Sequence, residues 1–265
     1  MSKIKVVISG ITGKMGQESL KAVHSQSDME VIGGTCKSPQ DSHLTLPDDS
    51  IKIPITSNLE EIISSTDVLL DFTNSEVGMG SIRIAARHKI PIVTGSTGFS
   101  PDMIKEIETI SQSNNLGIIV APNFAIGAVL MMHLAKTAGQ FFEFADLIES
   151  HHEQKLDSPS GTAISIAKAA LENRSSGFTS VKSQKELVEG TRGGSLEGIN
   201  IHSSRMPGRV AHHELTFGTI GQTFTIKHDS INRESFMPGV VMAIRYVIGE
   251  SSLIWGLEKV MKLSI

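Results

Sequence analysis

At 265 residues, 39% hydrophobic and 20% charged, the chain has an ordinary globular composition with room for two domains, each able to bury a core of its own. A formal net charge of −4, with no Lys or Arg run interleaved with aromatics, leaves no positive field for a phosphate backbone, so nucleic acid is not an expected partner. The longest apolar stretch, around 125–138, is broken by Gly127, His133 and Lys136 and falls short of a membrane span, so no membrane association is expected either.

The segment Lys3-Ile4-Lys5-Val6-Val7-Ile8-Ser9-Gly10 has an apolar run too short for a secretory core and reads as a first strand over 4–9. Gly10-Ile11-Thr12-Gly13-Lys14-Met15-Gly16 then turns from that strand into a helix. In this setting Gly10, Ile11, Thr12, Gly13, Lys14 and Met15 direct backbone N–H groups and a helix N-terminus at one place, where a dinucleotide pyrophosphate can sit. The glycines are spaced three and three, not two and three as in the commonest fingerprint, which marks a variant; a tight turn without a ligand is the alternative. A second strand, 30–35, ends in Thr35-Cys36-Lys37. Lys37 stands near where an acidic residue commonly holds the adenosine ribose, so NADPH is expected to bind at least as well as NADH unless Lys37 is only an exposed loop lysine. Cys36 is the one cysteine; it excludes an internal disulfide and fits a reducing compartment, for which the cytoplasm is the expectation.

Strands over 68–72, 92–94 and 117–121 follow, nearly all apolar, as strands buried on both faces must be. Their alternation with helix-length amphipathic stretches predicts a Rossmann-like, doubly wound parallel sheet in an α/β fold. The loop Thr94-Gly95-Ser96-Thr97-Gly98-Phe99 lies on the sheet's C-terminal edge, where ligands collect, and adds Gly95, Ser96 and Thr97 to the expected cofactor contacts. Ser100 and Pro101 supply an N-cap and a first-turn proline for a helix that stops at Asn114-Asn115. Ala121, Pro122, Asn123 and Phe124, after the fifth strand, would border the nicotinamide.

From there the texture changes: a helix is expected over 126–142, then a strand ending near Glu149. Residues 172–198 read as loop with one short strand, and strands near 202–205, 214–217 and 223–228 form a small mixed sheet across Gly218-Thr219-Ile220-Gly221. A last helix over 238–248 should pack back on the first domain. The expected division is a dinucleotide-binding domain, 1–125 completed by 236–265, and a smaller α+β domain, 126–235, for substrate binding and oligomerisation.

The densest polar chemistry lies in Glu149-Ser150-His151-His152-Glu153-Gln154-Lys155-Leu156-Asp157-Ser158-Pro159-Ser160-Gly161-Thr162. Two histidines and a lysine stand beside Ser160-Gly161-Thr162, which opens a helix whose N-terminus is itself an anion site. Carboxylates would be drawn from both sides. Zinc is the competing thought, but adjacent histidines do not easily share a metal and no spaced third ligand accompanies them, so no metal is expected. A solvated turn between strand and helix is the plain alternative.

Taken with Asp71-Phe72-Thr73, His202-Ser203-x-Arg205, Phe224-x-Ile226-x-His228, Arg233 and Phe236, these motifs resemble, over nearly the whole length, the dihydrodipicolinate reductase family of the diaminopimelate and lysine pathway. The resemblance implies hydride transfer from NADPH or NADH to a cyclic imine dicarboxylate. It further implies His151 as proton donor or acceptor and Lys155 as proton donor. His152, Lys155, Ser160, Gly161 and Thr162 become contacts to the substrate carboxylates, and the assembly a homotetramer. Lys14 stands where many relatives carry Arg, Lys37 where an acid is frequent, and Ser96 where a second threonine is common. Two other readings remain open at this point. An aspartate-semialdehyde or homoserine dehydrogenase would explain the first domain, although an acylating enzyme needs a nucleophilic cysteine and Cys36 sits at the second strand's end. A dinucleotide sensor without chemistry would leave His151, His152 and Lys155 unexplained.

Overall fold

The structure is a computed structural model, and it describes residues 2–45 and 52–263. The strands in chain order are β1 (Ile4–Ser9), β2 (Met29–Thr35), β3 (His43–Thr45), β4 (Lys52–Thr56), β5 (Val68–Asp71), β6 (Ile92–Thr94), β7 (Ile118–Val120), β8 (Phe144–His151), β9 (Gly194–Leu196), β10 (Ile199–Arg205), β11 (Ala211–Thr219), β12 (Gln222–Ser230) and β13 (Leu253–Trp255). The α-helices are α1 (Lys14–His24), α2 (Ser75–His88), α3 (Pro101–Asn114), α4 (Ile126–Gly139), α5 (Gly161–Leu171) and α6 (Met237–Val247). The chain divides into two compact units, Met1–Phe124 with Phe236–Lys262, and Ala125–Ser235 with Leu263–Ile265.

The first unit is built on the sheet β13-β7-β6-β5-β1-β2-β4-β3, parallel throughout except for β3, which runs antiparallel to β4 at the edge. Its central strands are buried on both faces, which is why they read as unbroken apolar runs. Val7, Leu69, Ile92 and Ile118 pack with Met79 and Ile82 of α2 and Ile107 of α3. By strand alternation Val6, Ile8, Leu70, Val93 and Ile119 face the other side, that of α1 and α6. The helices begin where the side chains dictate. The Asn74 Oδ1 accepts from the Glu76 and Val77 amides at 3.0 and 3.1 Å, and the Ser100 hydroxyl accepts from the Met103 amide at 3.3 Å, with Pro101 in the first turn of α3.

Five strands are expected in this half from sequence; β3, β4 and β13 join them. β3 and β4 lie in a stretch rich in Ser, Pro and Asp, and β4 alternates around Pro54, as only a strand near an edge tolerates. β13 is too short for any period to show.

The second unit carries the sheet β12-β11-β8-β10-β9, in which β8 and β10 are parallel and every other pair is antiparallel. Helices α4 and α5 cover one face, burying Ala145, Leu147, Ile199, Ile201, Leu215 and Phe217. Helix α4 stops at Gly139, short of the expected 142. A Cβ at Gly139 would stand 2.1 Å from the Ala170 carbonyl oxygen, so α5 passes closely there. Arg174 closes the end by donating to the carbonyls of Gly139 and Phe142. Among the described residues no helix is long and apolar enough to cross a membrane.

Candidate active site

On the first unit the polar residues of the parallel sheet gather in one row at its C-terminal edge, where the register aligns Thr35, Ser9, Asp71 and Thr94. Asp71, fully buried, accepts from Thr73 at 2.7 Å, Thr94 at 2.7 Å and Ser96 at 2.6 Å. It thereby ties the loop after β5 to the glycine loop after β6. Gly95 is required where it lies, since a Cβ there would meet the Phe72 ring at 2.3 Å and the Phe124 ring at 3.1 Å. Those two rings pack edge to face.

The first glycine turn is equally tight: a Cβ on Gly16 would stand 2.1 Å from the Gly10 carbonyl oxygen, so α1 is drawn hard against the turn. Not every expected amide is free for a ligand. Gly10 and Ile11 both donate to the Thr35 carbonyl and Gly13 donates to that of Gly10, while the Ile11 side chain is buried. The amides at the mouth of α1 are those of Thr12, Lys14 and Met15, with no acidic residue in the first turn and no side-chain cap. This donor set fits a pyrophosphate. Lys14, Lys37 and Thr97 are exposed, Ser96 turns its hydroxyl inward to Asp71, Ala121 and Phe124 are buried, Asn123 is half-buried and Pro122 is exposed.

On the second unit β8 delivers the other cluster. Glu149 and His151, two residues apart on a strand, share the inner face. The register places Glu149 between Ser203 and His213, with His228 beyond, and His151 between Arg205 and Ala211. Arg205 grips the Glu149 carboxylate with both terminal nitrogens, at 2.9 and 2.8 Å, and donates to the Asp157 carbonyl at 2.7 Å. The Ser160 amide donates to Glu149 at 3.2 Å, and His151 Nδ1 is hydrogen-bonded to the other carboxylate oxygen. The Ser160 hydroxyl caps α5 by accepting from the Ala163 amide at 3.1 Å and lies 3.2 Å from His213 Nε2. The His151 and His213 rings meet edge to face, with centroids 5.3 Å apart. Lys155 Nζ is 2.7 Å from Asp157 Oδ1.

Burial opposes ionisation of Glu149, but hydrogen bonds from Arg205, Ser203 and His151 outweigh it and hold the carboxyl at about 2. For His151, burial lowers the pKa, Glu149 works against that, and the charges of Lys155 and Arg205 reinforce it; the net direction is down. His213 is pushed down to about 4 by burial first, with the nearby His151 adding to it. Asp157 is lowered chiefly by the hydrogen bond from Lys155, with the Gly161 backbone N–H adding to it in a small way.

Of the residues singled out from sequence, His151, Lys155 and Ser160 are thus linked through one set of contacts, and Gly161, Thr162 and the half-buried His152 adjoin it along the chain. Ser160 differs from expectation: its amide and hydroxyl are both engaged within the fold, so the amides of the helix mouth are those of Gly161 and Thr162. Glu149, Arg205 and His213 are the members with no site role from sequence, although Glu149 opens the polar segment and Arg205 stands in one of the family motifs. For Glu149 the signal was present in its period-two spacing from His151. For Arg205 and His213 it was not, because only strand pairing brings them near.

Comparison with known proteins matches both units. Residues 4–124 match the family model described as dihydrodipicolinate reductase, N-terminus, and residues 127–261 that described as its C-terminus. A 4-hydroxy-tetrahydrodipicolinate reductase of Dehalococcoides mccartyi is 46% identical over 265 residues, 99% of this chain and 100% of the relative. One of Listeria welshimeri is 40% identical, covering 97% of this chain and 100% of the relative. The structure of the dipicolinate-bound dihydrodipicolinate reductase from Paenisporosarcina sp. TG-14 superposes with a TM-score of 0.87 at 40% identity, over 97% of this chain and 99% of that one. An aspartate semialdehyde dehydrogenase from Vibrio cholerae, 11% identical with a TM-score of 0.56 over 93% of this chain and 99% of that one, shares the fold alone. With both halves matched and full-length relatives at this level of identity, the chain belongs to the dihydrodipicolinate reductase family of nicotinamide-dependent oxidoreductases.

Proposed function

We propose that the chain reduces (2S,4S)-4-hydroxy-2,3,4,5-tetrahydrodipicolinate to (S)-2,3,4,5-tetrahydrodipicolinate with loss of water, using NADPH or NADH, in the diaminopimelate route to lysine. The observation that carries this reading is a carboxylate already held in the second unit's cradle. The Asp157 carboxylate sits 2.7 Å from Lys155 Nζ, and the Gly161 backbone N–H also favours its charged form, which is how a substrate carboxylate would be held. A Cβ at Gly161 would meet nothing within 4 Å, so the fold leaves open space over that backbone, suited to close approach by a ligand.

In this reading Lys155, His152 and the Gly161 and Thr162 amides orient the two carboxylates, and Ser160 serves by capping α5. A bound nicotinamide supplies the hydride. The 4-hydroxyl leaves as water with loss of a C5 proton, which gives a conjugated imine. Hydride addition to that imine at C4 leaves an enamine that must take up a proton at C5; Lys155 supplies it, and His151 is the second proton-handling group. The turn at α1 holds the pyrophosphate through the Thr12, Lys14 and Met15 amides, and Gly95, Thr97, Ala121, Pro122, Asn123 and Phe124 border the nicotinamide. Lys37 favours a 2′-phosphate, so NADPH binds at least as well as NADH. The chain works in the cytoplasm as a homotetramer.

The test is oxidation of NADPH and NADH with the condensation product of pyruvate and aspartate semialdehyde. Lys155→Ala and His151→Ala should each lower kcat by roughly two orders of magnitude or more, with cofactor affinity within a few-fold of wild type. Near-normal turnover removes that residue from the mechanism, and cofactor binding without turnover by the wild type makes the chain a sensor. A clear preference for NADH that Lys37→Ala leaves unchanged would refute the role of Lys37.

A further inference from the structure

The geometry points to Glu149 as a positioning residue that fixes the His151 imidazole with its proton on Nδ1, so that Nε2 is presented to the substrate as an acceptor. This deepens the proposed reduction and rests on it for the identity of the substrate.

Glu149 is fully buried and gripped by both Arg205 terminal nitrogens and the Ser160 amide. Arg205 cannot lend a proton to it, and an ionised carboxylate only accepts hydrogen bonds. The hydrogen bond between Glu149 and His151 Nδ1 must therefore be donated by the imidazole. A neutral imidazole has one N–H, so a proton on Nδ1 leaves the lone pair on Nε2. Neutrality at physiological pH agrees with the downward direction for His151, set by burial and by the cations beside it.

The groups facing His151 come from every neighbouring element: Glu149 on its own strand, Arg205 from β10, His213 from β11, and Lys155 from the loop beyond β8. Glu149 is the one anion among them. Its removal therefore also withdraws the charge that stabilises the imidazolium once Nε2 has taken a proton. This assigns the role left open for His151: it accepts the proton released with the 4-hydroxyl, while Lys155 donates.

The direct test is imidazole nitrogen NMR on the ligand-free full chain, which depends on neither substrate nor turnover. The expected result is a protonated Nδ1 and an unprotonated Nε2 for His151; a proton on Nε2 overturns the inference, whether or not any variant folds. The kinetic arm compares Glu149→Gln with Glu149→Asp. Glu149→Gln should lose roughly ten-fold or more in kcat with cofactor binding unchanged, and the acid limb of its kcat/KM profile should move to lower pH. Glu149→Asp, which keeps the charge, should restore the limb. A wild-type limb in Glu149→Gln counts against the inference, whereas absence of turnover in the wild-type chain counts against the proposed reaction and leaves the NMR result to decide the positioning role.

Discussion

Burial works on Glu149 and His213 in opposite directions, yet both end below their ordinary values, because Glu149 has a cation in hand that outweighs its burial. Glu149 has Arg205 and falls to about 2 from an ordinary 4.5. The unfolded chain then binds more protons than the folded chain between those values, so the stabilisation is present above pH 4.5 and is lost as the pH falls toward 2. His213 falls from 6.5 to about 4, so its contribution is present above 6.5 and is lost as the pH falls toward 4, the direction shared by His151 and His228. Each is worth about 3 kcal/mol by the usual conversion. Urea unfolding at a series of pH values should accordingly show loss in two stages, and His213→Gln should shrink the upper stage to what His151 and His228 contribute and spare the lower. Arg205→Ala strands a buried carboxylate and should cost about 3 to 5 kcal/mol in the same assay at neutral pH; a loss below 1 kcal/mol would show that the carboxylate finds other partners. The sequence made the polar density of 149–162 plain, because those residues are neighbours along the chain. It showed Arg205 in a motif but not its partner, and it hid His213, because a strand's partner is set by register across the sheet and not by any local pattern.

At the scale of the elements, glycine shows which positions the fold constrains. Gly16 lies in the first turn of α1 with its α-carbon facing the Gly10 carbonyl, so Gly16→Ala should force backbone apart, weaken folding and raise the Kd for cofactor. Gly80 lies within α2 with nothing within 4 Å of an added Cβ, so Gly80→Ala should stabilise the chain by about 0.5 to 1 kcal/mol with unchanged kcat. Chemical denaturation of the two variants side by side checks both. The same contrast explains how much of the fold was legible. β1, β5, β6 and β7 are apolar because both faces are covered, and caps at Asn74, Ser100 and Ser160 set helix starts in plain residues. β3, β4 and β13 were not legible, being short or near an edge where composition carries little constraint. The end of α4 was missed by a few residues because the apolar pattern runs on through Phe141 and Phe142, while the stop comes from the approach of α5 and the reach of Arg174.

At the scale of the whole molecule, the five-stranded sheet has helices on only one face among the described residues. Its other face carries Phe144, Asp146, Ile148, Asn200 and Thr216, with Ile148 47% exposed. If this face joins copies into the proposed tetramer, Ile148→Asp should yield smaller species in sedimentation velocity at unchanged cofactor affinity; an unaltered mass places the interface elsewhere. The first unit has a different consequence. Its sheet is closed on one side by β13, paired to β7, and covered by α6, yet the second unit's stretch Ala125–Ser235 lies between β7 and these pieces along the chain. A ribosome delivers β7 with its apolar edge bare and keeps it so until the second unit has emerged, an interval in which that edge is open to pairing with another nascent chain or to capture by a chaperone.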